Sequence, residues 1–124
     1  MGKEVIKRGI TKMSSVSANT ITDEISSRVH NALGDKLHKI ILFGSYARGN
    51  YDDESDIDIM VLADINHADL SKAEKELWEI GWDVGFDHDI MVSVFLKESG
   101  HFNEWCDDMA YYRNIMSDGV VLYG

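Results

Sequence analysis

Residues 56–63, Asp-Ile-Asp-Ile-Met-Val-Leu-Ala, set the tightest limit on what this chain can become. Alternation at their start and the β-branched residues that follow predict a strand. Strand side chains alternate between faces, so Asp56 and Asp58 point one way while Ile57, Ile59 and Val61 point the other, into a core. Met60 and Leu62 continue the Asp face and imply that it becomes buried further along. Two carboxylates side by side on a sheet face repel unless something neutralises them. Mg²⁺ takes oxygen ligands, commonly one or two carboxylates with substrate phosphates and water. Taken alone, Asp-x-Asp reads as the solvated start of an ordinary strand; its surroundings change that.

The chain has no proline, so breaks must be read from Gly, Asn, Asp and Ser. Ile21, Ile25, Val29 and Leu33 recur every fourth residue, which predicts a helix over 20–33 stopped by Gly34. Lys39–Phe43 is a short apolar run that reads as a buried strand. Residues 44–55 form a polar loop, with room for a helical turn after Ser45. Leu70, Ala73, Leu77, Ile80 and Val84 make one stripe of a helix over 69–84, with Asp69 as its cap. Residues 89–95 read as a third strand. A helix or helical pair follows from Ser99 to Asp118, Gly119 stops it, and Val120-Val121-Leu122 closes the chain as a short strand or tail. This order predicts an α+β fold of two layers, with helices covering one face of a small mixed sheet and polar chemistry on the other. Residues 1–18 lack a clear period and read as a flexible N-terminal arm, with Met13 as an alternative start; residues 19–124 form the domain.

At 124 residues the chain suits one domain with one core. Cys106 is the single cysteine, which excludes an internal disulfide and suits the reducing cytoplasm; it reads as a small buried residue. No apolar run is long enough to span a bilayer. From Met13 onward, eight Lys and Arg face 21 Asp and Glu. Such a body repels a phosphate backbone, so direct nucleic-acid binding is disfavoured, whereas a divalent cation or a basic protein partner is suited. The five histidines lack metal-ligand spacing, which argues against a zinc site. Trp78, Trp82 and Trp105 read as core or as partner surface.

Phe43-Gly44-Ser45 ends the first predicted strand. Gly44 would let backbone approach a ligand closely, and N–H groups exposed at a turn into a helix attract phosphate. Ser45 adds a hydroxyl donor, and the ten residues from Ser45 to Asp56 are enough to leave one strand and begin its neighbour. Together, Leu42-Phe43-Gly44-Ser45-Tyr46-Ala47-Arg48-Gly49 and Ser55-Asp56-Ile57-Asp58-Ile59 resemble the signature of the nucleotidyltransferase superfamily that includes DNA polymerase beta. Among its members the sequence is most similar to the minimal nucleotidyltransferases, the antitoxin partners of HEPN toxins. The motif spans residues 42–59, and a weaker likeness runs from about residue 20 to the C-terminus.

The resemblance implies a polymerase beta-like fold and a third acidic residue on a later strand. Asp87 and Asp89 are both candidates. Asp89 fits better, because the alternation Ile90, Val92, Val94 begins after it, although His88 stands where the family has an apolar residue. The implied catalytic and metal-binding residues are then Asp56, Asp58 and Asp89, with Gly44 and Ser45 holding the triphosphate. Arg48 either contacts the triphosphate or pairs with a neighbouring carboxylate. Two Mg²⁺ ions would assist pyrophosphate departure and activate an acceptor hydroxyl, with Asp89 as an alternative base. The implied substrate is ATP, and the implied acceptor is a tyrosine of a cognate HEPN toxin. Two other readings stay open: a non-catalytic antitoxin that neutralises its toxin by covering it, and nucleotidylation of a small molecule. A chain this short would need its acceptor pocket from a partner or from a second copy in a homo-oligomer.

Overall fold

The computed structural model describes residues 15–105 and 108–124, with side chains from residue 18 on. Most of the expected arm, the alternative start at Met13 and Cys106 lie outside the described residues. The elements run in the order α1 (Ser15–Leu33), β1 (Leu37–Phe43), α2 (Ser45–Arg48), β2 (Ile57–Ala63), α3 (His67–His88), β3 (Val92–Glu98), α4 (Ser99–Trp105), α5 (Ala110–Asp118) and β4 (Val120–Tyr123). The helix expected from residue 20 thus begins at Ser15, and Ala18 is already buried.

Four strands form one mixed sheet in the order β3-β2-β1-β4. β1 pairs antiparallel with both β2 and β4, and β2 pairs parallel with β3 across the α3 crossover. The closing residues 120–122 are therefore a strand, completing one sheet edge. Alternation sorts the side chains into two cores. Ile40, Ile57, Ile59, Val61, Val92 and Val94 face the long helices α1 and α3, and the same cluster takes in Ile21, Ile25, Val29, Leu77 and Val84. Ile41, Met60 and Leu62 face the other way and pack with Phe102, Tyr112 and Ile115 from α4 and α5. The two long helices thus cover one face as expected. The short pair α4 and α5 covers part of the opposite face, and Met60 and Leu62 are buried there as the alternation implied.

α3 is longer than its apolar stripe. Asn66, not Asp69, is the N-cap: its Oδ1 accepts from the Asp69 N–H at 3.0 Å. The helix then runs past Val84 to His88 because Gly81 and Gly85 let it lie against the strand that follows. A Cβ on Gly85 would stand 2.4 Å from the Ile90 carbonyl oxygen, and one on Gly81 would stand 2.9 Å from that of Val92. Asp89 ends the helix in the left-handed conformation, φ 56° and ψ 46°. The Asp89 N–H donates to Phe86 O at 3.4 Å and the Ile90 N–H to Gly85 O at 3.0 Å, the pairing of a Schellman stop. This corrects the strand expected over 89–95. It begins three residues later, at Val92, because the residues before it are spent ending the helix.

Gly85→Ala should lower stability by about 1–3 kcal/mol, despite the helix preference for Ala, because the methyl has no room against Ile90. Urea denaturation checks this: the midpoint should fall with the slope unchanged.

Candidate active site

The site is built where β1 ends and β2 begins. Register pairs Phe43 with Asp58 across the two strands, so the residue after Phe43 lies beside the Asp58 carboxylate. That residue is Gly44, with φ 77° and ψ −156°, a region essentially reserved for glycine. A Cβ there would stand 2.7 Å from Asp58 Oδ2. Only a residue without a side chain lets the chain turn into α2 this close to the carboxylate. The Arg48 N–H closes the turn on Gly44 O at 3.1 Å, and Gly49, at φ 82°, ends it. The first N–H groups of such a turn have no partner within the helix.

A stacked pair secures the loop back to β2. Tyr46 is buried, and its ring lies 4.2 Å from that of Tyr51 at 8°. Burial first, then Tyr51 and the nearby Asp52, Asp53 and Asp56, raise its phenol above the ordinary range, so it stays protonated. Asp52 Oδ1 accepts from the Glu54 N–H at 2.9 Å, and Ser55 Oγ accepts from the Asp52 N–H at 2.9 Å. The loop thus delivers Asp56, exposed, just before the strand that carries Asp58.

The electrostatics of the pair are unbalanced. Burial first, then the charge of Asp56, pushes the Asp58 carboxyl up from the ordinary aspartate range, and Arg48 pulls it back only in part. Arg48 is exposed at the end of α2 and makes no ion pair with either carboxylate among the described residues. The two carboxylates with a glycine backbone beside them form an anionic corner short of positive charge. The donor set suits a divalent cation, with a ligand's phosphates completing the oxygen shell. Among the described residues no three His, Cys, Asp or Glu side chains come together to hold a metal by themselves.

Asp89 is not brought to this corner. It caps α3 and lines an apolar hollow of about 500 Å³ with Gly81, Trp82, Gly85, Phe86 and Met91. The β3 residue in register with Asp58 is Ser93, and the Ile57 N–H donates to Met91 O at 3.0 Å, so Met91 flanks the start of β2. Neither position carries a carboxylate. Three aromatic residues gather on this face near Asp58 instead: Phe43 opposite it, Phe95 beside Met60 on β3, and Tyr111 from α5. The Phe43 ring lies 5.9 Å from that of Phe95 and 6.1 Å from that of Tyr111. Partial burial, then the charge of Asp58, raises the Tyr111 phenol. Strand parity could have placed Phe95 on the Asp face; nothing local in the sequence brings Tyr111 there.

The sequence model of the nucleotidyltransferase domain matches residues 23–121, most of the chain and all of this corner. The chain belongs to the nucleotidyltransferase domain family. Two Methanocaldococcus jannaschii proteins, both provisionally named protein adenylyltransferases, are similar to it. One is 32% identical over 92 residues, covering 74% of this chain and 91% of the relative. The other is 35% identical over 98 residues, covering 75% and 89%. Among solved structures, a provisionally named nucleotidyltransferase from Sulfolobus solfataricus superposes with a TM-score of 0.53 at 22% identity, over 84% of this chain and 78% of that one. A toxin–antitoxin structure with AMP-PNP superposes with a TM-score of 0.51 at 24% identity, over 81% and 71%. These two share the fold. No described helix of this nucleotidyltransferase is long and apolar enough to cross a membrane.

Two outcomes follow for the carboxylates. Asp58 binds its proton more tightly in the folded chain than in the unfolded one. Its contribution to stability is therefore complete below the ordinary aspartate range and is lost as pH rises through the raised value. In chelator, Asp58→Asn should melt above wild type at neutral pH, and the gap should close on acidification. Asp89→Gly, which suits the left-handed stop, should leave stability unchanged or raise it by up to about 1 kcal/mol. It should also leave calorimetric binding of Mg²⁺ and ATP intact; loss of that binding would restore Asp89 to the site.

Proposed function

We propose that this nucleotidyltransferase moves AMP from ATP, in the presence of Mg²⁺, to a tyrosine hydroxyl of a HEPN toxin and so acts as its antitoxin. The observation that carries the chemistry is the approach of the Gly44 backbone to the Asp58 carboxylate beside Asp56. It joins a place for phosphates to a place for the cation that accompanies them. Asp56 and Asp58 would hold Mg²⁺, and Gly44 and Ser45 would hold the triphosphate through backbone N–H groups and the Ser45 hydroxyl. Arg48, unpaired with either carboxylate, is free to reach the phosphates. The cation, when bound, supplies charge stabilisation at the reacting phosphate, an effect of several kcal/mol. The tyrosine oxygen forms a bond to the α-phosphorus, the α–β anhydride bond breaks, pyrophosphate leaves, and the phenol's proton passes to solvent water. The provisional names of the two archaeal relatives, as protein adenylyltransferases, support a protein acceptor.

The surface supports a protein acceptor too. Trp78, Trp82 and Phe86 stand one turn apart along α3, each exposed, Phe86 by 82%. Glu79, Asp83 and Asp87 lie among them, and residues 76–96 hold no Lys or Arg. Exposed aromatic ridges of this kind mark interaction surfaces, and the acidic rim suits a basic partner. A second copy would bring the same negative rim to it.

Incubation with ATP, Mg²⁺ and a cognate HEPN toxin should add the mass of an AMP group to that toxin. Asp56→Asn with Asp58→Asn should slow the transfer by at least about 10³-fold, matching the loss of several kcal/mol. Full neutralisation of the toxin by this double variant would favour an antitoxin that works by covering alone. No added mass with the site saturated would sink the modification reading.

A further inference from the structure

The aromatic residues beside Asp58 are placed for more than packing. On the Asp face, register sets Phe43 across from Asp58 on β1, Ser93 beside it on β3, and Phe95 beside Met60. Phe43 and Phe95 sit two strands apart, yet their rings come within 5.9 Å, tilted at 48°, above the strand between them. Tyr111, in the first turn of α5, meets Phe43 edge-on at 89°. The contacts continue inward: Tyr111 to Tyr112 at 5.8 Å, and Tyr112 to Phe102 at 4.6 Å. Phe102 is fully buried and Tyr112 nearly so. Tyr111 is 47% exposed and Phe95 38%. The inner end of this chain of rings is core, and the outer end is an open aromatic wall fixed to that core.

Such a wall has a cost. It takes water away from Asp58, which is half-buried. The wall adjoins the corner to which the triphosphate is assigned, so it lies within the reach of the rest of a nucleotide. Nucleobases stack on aromatic side chains without needing a hydrogen-bond code, because every base has a π face. Resting on the nucleotide reading above, we propose that Tyr111, Phe43 and Phe95 form the platform for the nucleobase of the bound triphosphate. Tyr111 acts through its ring, which meets Phe43 edge-on and stays partly open to solvent. A platform of rings selects by ring area: purines over pyrimidines, with little choice between adenine and guanine.

The test is calorimetry on the full chain in Mg²⁺, with ATP, GTP, CTP and inorganic tripolyphosphate as ligands. Wild type should bind ATP and GTP within about threefold of each other and CTP several-fold more weakly. Tyr111→Ala should weaken ATP about tenfold while leaving tripolyphosphate within twofold, and Tyr111→Phe should recover what Tyr111→Ala loses. Phe95→Ser, at an exposed edge position, gives a second variant with the same expected pattern should Tyr111→Ala misfold. Equal losses for ATP and tripolyphosphate, or no loss for ATP, would overturn the platform. So would a wild type that binds tripolyphosphate as tightly as ATP, which leaves the triphosphate corner standing. Binding of neither ligand by wild type would remove the nucleotide reading and the platform together.

Discussion

The approach of one backbone to one carboxylate governs this molecule. Gly44 lies where any side chain would strike Asp58, in a conformation that costs other residues dearly. The contact exists only in one register of β1 on β2, with Phe43 opposite Asp58. A slip of one residue would turn Asp58 into the core and bring Ile57 and Ile59 to the open face. The buried faces of both strands forbid that, since Ile40, Ile57, Ile59 and Val61 are all fully enclosed. The hydrophobic packing of one face thus fixes, to within a side chain, where the charged group on the other face stands. Rigid strands rather than loops carry the critical atoms, as an accurately held site requires.

The corner also shows how briefly chemistry occupies this strand. Asp58 is partly open, while Met60, the next residue on its face, is wholly buried against α4 and α5. Two steps along β2 separate a repelling carboxylate from an apolar core. That boundary explains why burial raises the Asp58 carboxyl above the ordinary aspartate range while the group stays partly open. A group in this state gains most from an incoming cation: binding relieves a repulsion already present instead of disturbing a satisfied ion pair.

Much of this could be read from the sequence, for a physical reason. Alternation in 56–63 and the apolar run before Gly44 are local patterns, and each reports its own face. Asp56, Asp58, Gly44 and Ser45 could be singled out because their positions depend on neighbouring residues alone. The start of the third strand was misplaced because two local signals competed. Ile90, Val92 and Val94 do alternate, but Gly85 and Asp89 together end a helix, and an aspartate in the left-handed position carries none of the warning a glycine would. The Asn66 cap was displaced by three residues for a related reason: Asp69 is also a good cap, and only the bond from its own N–H to Asn66 decides between them. The aromatic wall was illegible because it is assembled from β1, β3 and α5, whose meeting depends on sheet order and on the return of α5 over the open face.

What the fold leaves exposed is as informative as what it buries. The corner sits at an open end of the sheet, and the described chain provides no covering layer over Asp56. In a site open to water, electrostatic effects are weakened and water competes as the acceptor. Several kcal/mol of stabilisation at the phosphate become effective only when something displaces that water. Meanwhile Trp78, Trp82 and Phe86 stand exposed along α3, rimmed by acid. An enzyme built this way would, under the proposed function, withhold its low-dielectric environment until the partner supplies the other wall. Under the proposed function, the protein to be modified would close the site, so that recognition and catalysis would be one event and ATP would be spared from hydrolysis while the partner is absent.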